Sequence, residues 1–178
     1  MVDVESDGPI PGKDCYSIIL FGAVVVENDL KNTFLGKLKP ISPKWVPEAL
    51  AVSGYTREQT LEFDDPKIVM ADFSAWVSRI HKPMFISDNN GYDWQFINWY
   101  FHYFIGQNPF GYSSTNLGSL YKGLMKNVTE NFKHLRKTRH DHNPVNDATG
   151  NAEALQVMTS RLGLKTYRLP EKYRSDRR

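Results

Sequence analysis

The stretch from 139 to 155, RHDHNPVNDATGNAEAL, places His142 five residues before Asp147 and then runs into a helical pattern. Three more carboxylates stand in fitting contexts. Asp3 and Glu5 lie two apart at the start of the chain, and Asp93 opens an aromatic stretch just after Asn89. Four carboxylates and one histidine, in this order, are the parts needed to hydrolyse a phosphodiester with divalent cations. Water is a weak nucleophile at neutral pH, and an anionic phosphate repels it. Two cations roughly 4 Å apart answer both problems, one by lowering the pKa of a water and the other by neutralising the leaving oxygen. Hard ions such as Mg²⁺ and Mn²⁺ take carboxylate oxygens in preference to thiolates or imidazoles. A site for them must therefore gather Asp and Glu from separate elements. An imidazole, whose ordinary pKa lies near neutrality, suits the general base. His140 and Asp141 are neighbours that compete for the assignment, but His142 has the spacing to Asp147.

The elements that must position these groups follow from the hydrophobic pattern. Val2 and Val4 alternate with Asp3 and Glu5, so a first strand carries both carboxylates on one face, about 7 Å apart. The turn-rich run from Ser6 to Gly12 leads into an apolar stretch, Tyr16 to Glu27, read as a central strand in which Gly22 marks a bulge or a close backbone approach. Asn28-Asp29 signals a hairpin, and Thr33 to Lys39 returns as a third strand. The start is thus a three-stranded antiparallel meander. Glu48 to Gly54 and Thr56 to Gln59 read as short helical pieces. Asp65-Pro66 starts a helix to about Ile80, Met84 to Ser87 a short strand, and Tyr92 to Ile105 an aromatic helix whose rings are read mainly as core. Asn108 to Asn116 reads as loop, Leu117 to Lys126 as helix, Asn127 to His140 as a polar, partly mobile connection, and Asp147 to about Leu162 as the last helix. Strands first and then mixed helices and strand give an α/β chain with a mixed sheet and helices packed on it.

A chain of 178 residues with ordinary composition supports one domain with a real core. A net charge of +2 does not by itself identify a nucleic-acid binder, but the charge is uneven. Lys133, Arg136, Lys137 and Arg139 precede the histidine, and six basic residues stand against two acidic ones from Lys165 to Arg178. The boundaries expected are a catalytic domain over 1–164 and a basic tail over 165–178. A single cysteine, Cys15, excludes an internal disulfide framework and fits a reducing compartment. The longest apolar run, Ile18 to Val26, has nine residues and is too short to span a bilayer. With no leader pattern at the N-terminus, a cytoplasmic protein without a membrane partner is expected.

DVESDG (3–8), DNNGYD (88–93) and HNPVND (142–147) together resemble the three motifs of the DEDDh exonucleases of the RNase T/DnaQ-like superfamily. These are Asp-x-Glu followed by Thr or Ser, then Asn four residues before an Asp that follows an aromatic, then His-x4-Asp. Pro47 to Gly54 is similar to the family's Pro-x-Ala-x-x-Val-x-Gly segment, with Val52 at its valine. Each motif alone is weak; the ordered set covers the chain up to about Leu162. The compact size and the Gly/Pro loop after Glu5 look closest to small bacterial exonucleases related to ribonuclease AS.

The resemblance implies an RNase H-like fold with a five-stranded mixed sheet flanked by helices. It implies two Mg²⁺ or Mn²⁺ ions per active site. Asp3 would bridge both ions, Glu5 and Asp147 would complete the shell of the first, and Asp93 would hold that shell through water. His142 would take the proton from the attacking water. Ser6 and Gly8 after Glu5, Asn89, and Val52 would position the terminal nucleotide, with Arg136 and Arg139 as phosphate contacts. The activity implied is 3′–5′ hydrolysis at single-stranded DNA or RNA ends, releasing nucleoside 5′-monophosphates. A homodimer is a further expectation of the resemblance. A reading of another class, a 3′-end-binding or proofreading subunit of a larger complex, has no need of four intact carboxylates. A phosphatase acting on small nucleotides would release inorganic phosphate instead.

Overall fold

A computed structural model describes residues 1–27 and 29–165. Asn28 of the expected hairpin signal and residues 166–178 of the expected tail lie outside the described residues. Three strands open the chain: β1 (Val2–Ser6), β2 (Ile18–Val24) and β3 (Thr33–Lys37). They pair antiparallel in the order β1-β2-β3, so the meander forms as its alternation and apolar runs predict. All of β2 is buried, whereas β1 alternates buried valines with half-buried Asp3 and Glu5. Asp3 lies opposite Gly22 and Glu5 opposite Leu20, and the register slips between Glu5 and Ser6 where the loop begins.

Helices α1 (Pro47–Val52), α2 (Arg57–Thr60) and α3 (Pro66–Val77) follow. Asp65 caps α3 through the Lys67 N–H, and Thr56 closes a capping box with Gln59 on α2. Next come β4 (Phe85–Ser87), α4 (Asn90–Tyr100) and a wide five-residue π turn (Phe101–Ile105). The aromatic stretch is therefore two pieces, not one helix to Ile105. Phe96, Tyr100 and Phe101 are fully buried, so most of these rings are core.

β5 (Ser114–Asn116) stands within the segment read as loop, paired parallel to β4. Its residues are polar, and backbone pairing rather than apolar pattern makes it a strand. α5 (Leu117–Met125) and α6 (Pro144–Ser160) complete the chain. The five strands stand as a three-stranded and a two-stranded sheet, not one continuous five-stranded sheet. The reason lies at the edge of β1 next to β4. Met1 and Val24 exchange both backbone hydrogen bonds, so by alternation Val4 turns its N–H away from β2. Asp93 Oδ1 takes that N–H at 3.1 Å, and a side-chain carboxylate stands where a ladder bond would run.

Candidate active site

α6 starts three residues earlier than its apolar pattern suggests, because Asn143 caps it. The Asn143 side chain accepts from the N–H groups of Val145 and Asn146, and Pro144 occupies the first helical position. This first turn lies directly on β2. A Cβ on Gly22 would stand 2.3 Å from the Pro144 carbonyl carbon and 2.4 Å from the Val145 nitrogen. Gly22 is thus a close backbone approach, not a bulge, and it brings α6 down beside Asp3 and Glu5. Asp147 at the end of that turn is fully buried. One carboxylate oxygen from each of Asp3, Glu5 and Asp147 falls within 4.8 Å of the others. Asp93 enters from α4 through its bond to Val4.

Asp147 is densely engaged. Arg136 Nη2 donates to its Oδ1 at 2.9 Å. Its Oδ2 accepts the His142 backbone N–H at 3.1 Å and faces His140 Nδ1 at 2.8 Å. His142 holds a left-handed φ of +61°, uncommon for a residue with a side chain. Its Nδ1 lies 3.5 Å from Glu5 Oε1. The connection before it, read as partly mobile, is tied to α6: Glu153 accepts the N–H groups of Lys137 and Thr138 and the Thr138 hydroxyl. Phe132 in the same segment is buried.

The electrostatics are those of crowded anions. Burial, and then the charges of Asp93, Glu5 and Asp147, push the Asp3 carboxyl well above the usual range, with Arg136 opposing. Burial, and then Asp147, raise Glu5 to about 7. Burial raises Asp93 to about 7 against hydrogen bonds from Ser87 and Val4. Asp93 Oδ2 is buried without a hydrogen-bond partner among the described residues. Converging carboxylates that resist joint ionisation, with one buried oxygen unused, are the donor set that a hard divalent cation fits. The ligands are oxygen only, which suits Mg²⁺ or Mn²⁺.

Around this centre the other expected residues divide. Ser6 and Gly8 are buried, and the Ser6 hydroxyl lies between the Gly8 carbonyl and the Tyr92 hydroxyl. Asn89 is exposed just ahead of α4, its carbonyl accepting the N–H groups of Tyr92 and Asp93. Val52 lines a cavity of about 270 Å³ together with Lys37, Tyr55 and His142, so the Pro47 to Gly54 segment and the histidine share one hollow. Arg139 is exposed. Arg136 is not: its side chain is 8 % accessible and turned inward onto Asp147, so the expected phosphate contact is replaced by an internal ion pair. Gly150 makes room for it, since a Cβ there would stand 2.4 Å from Arg136 Nε.

Sequence reasoning set His140 aside in favour of His142 and missed Arg57. His140 reaches Asp147 more closely than its neighbour's ring does, and the His-x-His spacing is its signal. Arg57 pairs at 2.7 Å with the fully buried Asp7 and pins the loop after Glu5. No sequence signal linked those two.

No family model matches the chain. It is 36% identical over 170 residues to the "3'-5' DNA exonuclease Cap18" of Escherichia coli, a match that covers 88% of this chain and 89% of the relative. Two solved structures share its fold. The crystal structure of cell-death related nuclease 4 superimposes with a TM-score of 0.67 at 16% identity, over 89% of this chain and 62% of that one. The zinc-bound complex of E. coli ExoI with single-stranded DNA gives 0.69 at 17% identity, over 91% of this chain and 41% of that one. Their mixed α/β architecture with its antiparallel start is that of the chain described above.

Proposed function

The chain belongs to the DnaQ-like 3′–5′ exonuclease family, and from that premise we propose that it removes nucleotides one at a time from the 3′ ends of single-stranded DNA. The observation that carries the reading is the convergence of Asp3, Glu5 and Asp147 within 4.8 Å, with Asp93 hydrogen-bonded beside them on Val4. DNA is chosen over RNA because the 36% identical relative is a DNA exonuclease. A relation to ribonuclease AS-type enzymes, suggested by the compact size and the Gly/Pro loop after Glu5, would make RNA the substrate to test against it.

Asp3, Glu5 and Asp147, with Asp93 hydrogen-bonded beside them, would hold the divalent ions. When bound, Mg²⁺ or Mn²⁺ supplies charge neutralisation and a more acidic water. The chain's own residues do the rest. His142, on the rim of the cavity that also contains Val52, accepts the proton of the attacking water. The water oxygen bonds to phosphorus, and the bond from phosphorus to the 3′-oxygen of the preceding nucleotide breaks. That oxygen takes a proton from solvent, and a nucleoside 5′-monophosphate leaves. The backbone at Ser6 and Gly8, with Val52 and Asn89, positions the terminal nucleotide, and the exposed Arg139 meets the phosphates that follow. Arg136 is assigned to Asp147, not to phosphate.

Paired DNA and RNA oligonucleotides of one sequence, labelled at the 5′ end and incubated with Mg²⁺ or Mn²⁺, test this directly. A ladder that shortens from the 3′ end of DNA, and is absent with His142→Ala and Asp3→Asn, is the expected result. A faster ladder on RNA would reassign the substrate. Tight 3′-end binding with no ladder in either metal would replace the enzyme with an end-binding subunit.

A further inference from the structure

Two imidazoles, not one, stand over Asp147. The ring centroids of His140 and His142 are 4.4 Å apart and the rings are inclined at 68°. One donor atom from each of His140, His142 and Asp147 falls within 4.8 Å of the others. Glu5 Oε1, 3.5 Å from His142 Nδ1, adds a fourth donor at the edge. This set shares Asp147 with the carboxylate cluster but differs from it in chemistry. Two nitrogens and a carboxylate suit borderline ions such as Zn²⁺, whereas Mg²⁺ favours oxygen alone.

The histidine pair is held in place. Asp141 between the two accepts the Asn143 N–H through Oδ1 and the Asn146 amide through Oδ2. The left-handed backbone of His142 is fixed by its N–H on Asp147 Oδ2. Glu153 fastens Thr138 to α6 just ahead of the pair. Arg136 occupies Asp147 Oδ1 and leaves Oδ2 turned toward the imidazoles.

We infer that His140, His142 and Asp147, with Glu5 at their edge, form a binding site for a zinc-class divalent ion, separate in chemistry from the all-oxygen site for Mg²⁺ or Mn²⁺. The ion takes the place of the proton between His140 and Asp147. It also claims a carboxylate that the other site needs and the imidazole proposed as proton acceptor. Zinc-class ions therefore bind the resting protein and silence it. The silencing rests on the proposed exonuclease reaction; the binding does not.

The test is calorimetric titration of Zn²⁺ into the full chain in excess Mg²⁺, without nucleic acid. The wild type is expected to bind Zn²⁺, and His140→Ala to bind at least about tenfold more weakly, as befits a lost nitrogen ligand. Asp3→Asn, which removes no donor of the imidazole set and weakens the Mg²⁺ competitor for Asp147, is expected to bind Zn²⁺ at least as tightly as the wild type. His140→Gln serves as a second variant, because the exposed side chain plays no part in the core. Equal affinity in the wild type and both His140 variants overturns the site. Parallel loss in Asp3→Asn also overturns it, by placing the ion on the carboxylates. Where the ladder assay shows nuclease activity, the zinc inhibition curve of His140→Ala is expected to move to about tenfold higher Zn²⁺; an unmoved curve overturns the silencing. A chain without nuclease activity still reports on the site by calorimetry, so the two readings fail separately.

Discussion

The guanidinium of Arg136 lies over Gly150 and meets Asp147 Oδ1 at 2.9 Å, so a fully buried carboxylate of the site is already countered by a cation of the chain itself. Any divalent ion that uses that oxygen competes with the guanidinium. Two unit charges near 4 Å interact by about 4 kcal/mol at an effective dielectric of 20, an upper guide to what is at stake.

Arg136→Met removes the competitor and keeps most of the buried volume. Its affinity for Mn²⁺ is expected to rise by about tenfold or more, and its melting temperature in EDTA to fall, because the carboxylates lose their counter-charge. Calorimetric Mn²⁺ titration and thermal melting read the two effects separately. An unchanged Mn²⁺ affinity would show that the guanidinium does not compete for the ligand oxygen.

Gly22→Ala addresses the seating of α6. The added methyl meets backbone atoms of Pro144 and Val145 at 2.3–2.5 Å, and backbone in a capped helical turn cannot step aside as a side-chain end can. The expected loss of stability is about 3 kcal/mol, the upper range for overpacking. The helix must lift off β2, carrying Asp147 away from Asp3. Urea denaturation and the oligonucleotide ladder measure the two consequences. A variant of wild-type stability and activity would mean that the strand and helix slide freely past each other.

What the sequence disclosed and what it hid divide along a physical line. Asp3, Glu5, Asp93 and Asp147 were readable because each sits in a short local pattern, and the alternation of Val2 and Val4 placed the first two on one face. The start of α6 was misplaced although Asn143-Pro144 is a proper cap and first turn, because those residues lie inside the motif read for its histidine. β5 was invisible because Ser114, Thr115 and Asn116 are a strand only by virtue of their ladder with β4. The inward turn of Arg136 depends on the absence of a side chain at Gly150, fourteen positions later in the chain, and composition sees only a basic cluster. Likewise the burial of Asp7 against Arg57 joins residues fifty apart.

That second ion pair makes its own prediction. Asp7 is fully buried and accepts the Ser17 N–H as well as the guanidinium, while Arg57 also donates to the Ser42 carbonyl. Arg57→Ala strands a buried carboxylate, so a loss of about 3–5 kcal/mol is expected, and Asp7→Asn added to it should recover part of that. Because the pair pins the loop holding Ser6 and Gly8, a milder variant, Arg57→Lys, is expected to raise KM for oligonucleotides more than it lowers kcat. Denaturation curves and steady-state kinetics decide both. A variant that loses stability with KM unchanged would leave the pair a purely structural anchor.

The pH dependence of the metal-free protein follows from the crowded carboxylates. Glu5 and Asp93 are raised to about 7 from ordinary values of 4.5 and 3.8, so both bind protons more tightly in the folded chain than in the unfolded one. A raised pKa contributes stability that is fully present below the unfolded value and is lost as the pH climbs through the folded one. In EDTA the melting temperature is therefore expected to fall as the pH rises from the ordinary values of 3.8 and 4.5 through about 7, with the raised Asp3 carboxyl adding to the fall. Glu153 works in the opposite sense. Burial raises its pKa, but the N–H groups of Thr138 and Lys137 outweigh that and hold it below 4.5, so its contribution is lost only under more acid conditions. Glu5→Gln should flatten the fall, since it removes one titrating group without adding charge. Saturating Mg²⁺ or Mn²⁺ should abolish or invert it, because the ions favour the ionised ligands. Thermal melts in EDTA and in Mg²⁺ across this interval are the measurement. A metal-free melting temperature that climbs through it would mean that the carboxylates are not crowded in the folded state.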